Sequence, residues 1–174
     1  DGRTILKIKK EDKICYLNGK RNTVAAAEMW VKTLGELQRN APILIMGLGN
    51  STYLEELMKK TENRVCIIVY EPSIQIFFKF LETVDIASWM EKQLIIFWVN
   101  GLKGMDTKHM RGILQRVLKY EMLVYMKHFI LPNYEVLFPE EAVEFMKMCR
   151  DIALRELSDY NTKYKFSGLM VKNL

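Results

Sequence analysis

Two glycines one residue apart, Gly47-Leu48-Gly49, close the apolar run "PILIM", and an acid, Glu71, ends the next apolar run 24 residues after Gly47. Glycine at both places lets a chain turn sharply out of a strand and approach a ligand with its backbone. An acid at that distance is the group that binds ribose hydroxyls in dinucleotide sites. Asn50 completes the turn, so Gly47, Gly49, Asn50 and Glu71 are the candidate ligand-binding residues. The match to G-x-G-x-x-G stops at Thr52, which stands where the third glycine would be. Thr52 with Glu55 reads instead as a capping box, and Glu56 as a second acid in the first helical turn. Two carboxylates there leave little electrostatic room for a pyrophosphate, which disfavours a phosphate ligand. The same turn also occurs in sheets that bind nothing, and that reading stands beside the first.

"GLGNS" followed by "YEPS" is similar to the first two motifs of class I methyltransferases, whose donor, S-adenosylmethionine, carries no phosphate. That similarity implies Glu71 on the ribose and S-adenosylmethionine as cofactor, which is the alternative; the preferred reading is no cofactor. Asn100-Gly101, after the third apolar run, either lines the same crevice at the carboxyl ends of the strands or is an ordinary turn. The two histidines, His109 and His128, have no metal-ligand spacing. No G-x-S-x-G elbow gives Ser51, Ser73 or Ser88 a nucleophile's setting. The acid pairs Glu55/Glu56 and Glu140/Glu141 read as helix-start charges. No catalytic residue and no metal ligand is assigned.

These residues need a scaffold, and the apolar periodicity describes one. "TILKIKKEDKICYLNG" alternates Ile5, Ile8, Ile14 and Tyr16 with polar residues around "KED", predicting a two-stranded ribbon over 1–21. A helix follows with Val24, Ala27, Trp30, Val31, Leu34 and Leu37 on one side and Thr23 as N-cap. "PILIM", "RVCIIVYEP" and "QLIIFWVNG" are continuous apolar runs, as expected of parallel strands covered on both faces. Helices over Tyr53 to Lys60, Ile74 to Leu81 and Ile86 to Met90 separate them. Another helix carries Met110, Ile113, Leu114, Val117 and Leu118, with Asp106 as its cap. The segment 122–131 is open between helix extension and strand; a strand ending near Leu131 is preferred, because Pro132 and Asn133 break it. A long last helix starts at Pro139, with a stripe of Val143, Met146, Cys149, Ile152, Ala153 and Leu157.

The fold class that follows is α/β: a Rossmann-like, doubly wound, mainly parallel sheet over 22–160, preceded by a packed β-hairpin and closed by the long helix, with 161–174 as a linker. The three tryptophans and eleven methionines fall on apolar stripes and read as core rather than as a binding surface. The net charge of +5 is local. Residues 1–21 hold seven Lys or Arg against three acids, leaving 19 against 18 elsewhere. That ribbon charge reads as a guard against edge-to-edge pairing rather than as a nucleic-acid patch. Three scattered cysteines, Cys15, Cys66 and Cys149, suit free thiols, the latter two as core residues. A charged start and the absence of a spanning apolar run point to a cytoplasmic protein without membrane contact.

The order of "YLNGKRN", "AAAEMWV", "ILIMGLGNSTYLEEL", "IIVYEPSIQIF", "LPNYEVLFPEE" and the final "VKNL" resembles the N-terminal domain of the bacterial motility accessory factor (Maf) glycosyltransferases. The resemblance implies a cytoplasmic multidomain enzyme that transfers a nonulosonic acid to Ser or Thr of flagellin. Its chemistry would belong to a following domain related to archaeal hydroxymethylpterin pyrophosphokinases, whose Gly-Pro-Ser-Leu-like loop this chain lacks. This piece would then be non-catalytic, with its own downstream glycosyltransferase domain and flagellin as partners. A methyltransferase-like domain and a structural module without ligand are the two alternatives.

Overall fold

A computed structural model describes residues 5–10, 13–17, 22–39, 41–62, 64–105, 109–110, 112–114 and 125–172. The hairpin strands are β1 (Lys7–Lys10) and β2 (Lys13–Tyr16), antiparallel with Ile8 opposite Cys15. Then come α1 (Thr23–Thr33), β3 (Pro42–Met46), α2 (Thr52–Thr61), β4 (Cys66–Glu71), α3 (Ile74–Leu81), α4 (Ile86–Lys92) and β5 (Ile95–Val99). Residues 109–110 and 112–114 are helical, and the chain ends with β6 (Lys127–Ile130), α5 (Tyr134–Leu137) and α6 (Pro139–Lys172). The Asp106 cap, the "KED" turn beyond Lys10 and the positions of Val117 and Leu118 lie outside the described residues.

Four parallel strands form the main sheet in the order β5-β4-β3-β6. Every residue of β3 and β4 is buried, as their unbroken apolar runs require, while the outer strands β5 and β6 are covered less completely. The segment before Leu131 is thus a strand, and the Leu131 N–H still bonds the Met46 carbonyl at 3.0 Å. Two aligned rows of side chains fix the layers. Ile45, Val69, Phe97 and Phe129 share one row; there Phe97 meets Phe77 and Phe80 of α3, and Phe129 meets Trp30 of α1. The next row holds Met46, Tyr70, Trp98 and Ile130, and Tyr70 stacks on Phe145 of α6. Successive strand residues point to opposite faces, so α1 and α3 cover one face and α6 the other. The sheet is doubly wound.

Two caps differ from the sequence expectation. Asn22, not Thr23, caps α1, accepting the Ala25 N–H at 3.2 Å. Ser51, not Thr52, is the N-cap of α2; its side chain makes no capping bond to the helix N–H groups, and its hydroxyl instead donates to Glu55 at 2.7 Å. Glu56 is buried along the helix and pairs with Lys59; Glu55 is the acid of the first turn. On α6 the inward stripe is Ala142, Phe145, Met148 and Cys149, whereas Val143 is 69% exposed and Met146 43%. The segment 161–174, expected as a linker, is helical through Lys172; it contains no proline to interrupt the ladder.

The hairpin packs on the domain through Leu6, Ile8, Cys15 and the fully buried Leu17. Ile5 and Ile14 face outward instead. Lys127 from β6 and Lys60 from α2 donate to carbonyls at the C-terminal end of α1, Lys127 to Leu34 and Glu36 and Lys60 to Val31. Cationic groups there satisfy acceptors the helix itself cannot.

Candidate functional site

The turn after β3 does bring Gly47, Gly49, Asn50 and Glu71 together, at the carboxyl ends of β3 and β4. It also brings Tyr134, which the sequence reading missed. Tyr134 follows β6, the strand on the other side of β3, so it enters where the strand order reverses, the place that holds the ligand in open α/β sheets. Its hydroxyl accepts the N–H groups of Leu48 at 3.1 Å and Gly49 at 3.0 Å and donates to Glu71 Oε2 at 2.8 Å. Glu71 Oε2 also accepts the Leu48 N–H at 2.9 Å, and Oε1 accepts that of Ser73 at 3.0 Å. The backbone donors and the acid that would hold a ribose are engaged by one phenol.

Gly47 is shaped by the same ring. Its φ is +108°, and a Cβ placed there would lie 2.6 Å from the ring carbons of Tyr134. Glycine is required here for close approach, but the body approaching is a side chain of the same chain. Gly49 and Ser51 also carry positive φ, and residues 47–54 are all buried. Asn133 positions the ring: it adopts the left-handed conformation that Asn tolerates, at φ 72°, and its side-chain amide donates to the carbonyls of Tyr16 and Leu17. The hairpin is thereby tied to the residue that precedes the phenol. The signal in the sequence was the "LPNY" after β6, a chain break with an aromatic at a strand's carboxyl end.

Burial pushes the Glu71 carboxyl up to about 7, against the hydrogen bonds from Ser73, Tyr134 and Leu48 that hold it down. Burial, with the Glu71 charge alongside, drives the Tyr134 phenol well above its ordinary value. The phenol therefore stays protonated and remains a donor to Glu71 across the neutral range.

Asn100 and Gly101 do not join this cluster by side chain. The Asn100 N–H bonds the Glu71 carbonyl at 2.9 Å, but the side chain opens onto a separate cavity of about 300 Å³, lined also by Tyr70, Trp98, Lys103 and Glu144. No group of His, Cys, Asp and Glu able to hold a metal ion occurs among the described residues. Cys66 and Cys149 are core thiols, raised by burial to about 11 and about 12. Among the described residues no helix is long and apolar enough to cross a membrane. Compared with protein-family models, curated proteins and solved structures, the chain finds no match.

Proposed function

We propose that this chain is a non-catalytic accessory domain whose Gly-x-Gly turn serves the fold, of the kind that precedes the transferase domain in motility accessory factor glycosyltransferases. One observation carries the non-catalytic part: the Tyr134 hydroxyl takes the Leu48 and Gly49 N–H groups and one oxygen of Glu71. A methyl donor would need those same groups. The turn, the acid that ends β4 and the tyrosine form a closed network that accounts for each of them without a ligand. The family part of the reading rests on the ordered motifs in the sequence, with the downstream transferase domain and flagellin as partners and the cytoplasm as location.

Two experiments test the two parts. Calorimetric titration with S-adenosylmethionine, and separately with a cytidine-nucleotide sugar, is expected to give no saturable heat. Saturable methyl-donor binding that Glu71→Ala abolishes would replace this reading with the methyltransferase one. For the partner, flagellin capture by the multidomain protein is expected to fall when this domain is deleted. Equal capture with and without it would leave a structural module that supports the transferase domain.

A further inference from the structure

The cavity beside β5 has a chemistry that neither the closed turn nor the accessory role uses. It sits over the carboxyl ends of β4 and β5, between the turn that follows β5 and the first turns of α6. Its volume, about 300 Å³, lies at the small end of pockets for small molecules and suits an amino acid better than a nucleotide.

Its walls carry opposite charges. Glu144 projects from α6 and Lys103 from the turn after β5, and both line the same space. Among the described residues neither belongs to an ion pair, although Lys59, Arg64 and Lys79 each pair with a nearby glutamate. Glu141 lies one helical turn before Glu144, and the fields of both acids reach the buried Tyr70 phenol. A lone cation placed here would face Lys103 and a lone anion would face Glu144. A ligand with both charges meets both walls favourably.

The remaining lining fits such a ligand. Tyr70 and Trp98, with ring centroids 4.2 Å apart, present an aromatic edge to an apolar body. Opposite them the turn runs through Gly101 and Gly104, at φ 80° and 81°, and no atom lies within 4 Å of where a Cβ would stand at either. The backbone of that turn faces open space and can be approached closely. Asn100 adds an amide that both donates and accepts.

We propose that this cavity is a binding site for a free α-amino acid, its ammonium on Glu144, its carboxylate on Lys103 and the Gly101–Gly104 backbone, and its side chain against Tyr70 and Trp98. The site stands apart from the turn at Gly47, so its failure would leave the accessory-domain reading untouched. Calorimetric titration of the chain with each free proteinogenic L-amino acid in turn tests it. At least one is expected to bind saturably at or below millimolar concentration, and its N-acetyl and carboxamide forms to bind about tenfold or more weakly. Lys103→Met and Glu144→Gln alter exposed side chains, so both variants should keep the parent's urea midpoint while each loses about tenfold or more in affinity. Lys79→Met, on α3, is the control that should bind as the parent does. No saturable binding by any free amino acid would overturn the proposal. So would equal binding of the blocked forms, or unchanged affinity in both cavity variants.

Discussion

Replacing Glu71 by glutamine should change the way stability depends on pH. Burial lifts this carboxyl from 4.5 to about 7 in the folded chain. Below 4.5 both folded and unfolded chains hold the proton, and above about 7 both have released it. Between those limits the folded chain keeps a proton that the unfolded chain has lost, so this group's contribution to stability falls as pH rises through that window. At about 1.4 kcal/mol per pH unit, the whole fall is about 3 kcal/mol. Glutamine cannot take part in it. Its amide also places an NH2 where one of the N–H groups of Ser73 or Leu48 now finds an oxygen. That mismatch costs about 1–3 kcal/mol at every pH. Glu71→Gln is therefore expected to be less stable than the parent near pH 4.5, with the gap closing or reversing by about 3 kcal/mol above pH 7. Urea unfolding followed by circular dichroism across pH 4 to 8, with the difference between the two proteins taken at each pH, isolates this group from the other carboxylates. Parallel stability curves would refute the argument, because they would mean that the folded chain holds this carboxyl no differently from the unfolded one.

Gly47→Ala would place a methyl carbon against the Tyr134 ring at a backbone angle few side chains adopt, and should cost about 2–4 kcal/mol in urea unfolding. A loss within experimental error would mean that the ring is not seated over this glycine. Cys15 is half-buried while Cys66 and Cys149 are buried with raised thiols, so Ellman's reagent near neutral pH should modify Cys15 first and the other two only on unfolding. Simultaneous reaction of all three would contradict the packing described.

The strands were legible because burial on both faces leaves a mark in one dimension: "PILIM" and "CIIVYE" admit no polar residue facing water. The helices Ile74–Leu81 and Ile86–Lys92 match the expectation to within two residues, and the structure shows Ser73 and Asp85 capping them. Helix α6 was recognised and its inward side half read: Cys149 and Ile152 pack inward as expected, but in the first turns Val143 and Met146 face out. There Val143 and Met146 offer one apolar continuation of the stripe and Ala142, Phe145 and Met148 another. The choice falls to the second because the Tyr70 ring lies where Phe145 can stack on it.

The candidate site divides in the same way. Glycines at 47 and 49 and an acid at 71 could be read directly, because a turn and a strand end are set by neighbours along the chain. What fills the turn could not. Tyr134 lies 63 residues beyond Glu71 and reaches it because β6 pairs with β3, not with the strand before it in the chain. An α/β sheet with a ligand-shaped turn at the carboxyl end of a central strand was written in the chain's local pattern. That a phenol from just beyond the neighbouring strand occupies it follows from the folded arrangement alone, since strand order is settled by packing across the sheet rather than by local preference.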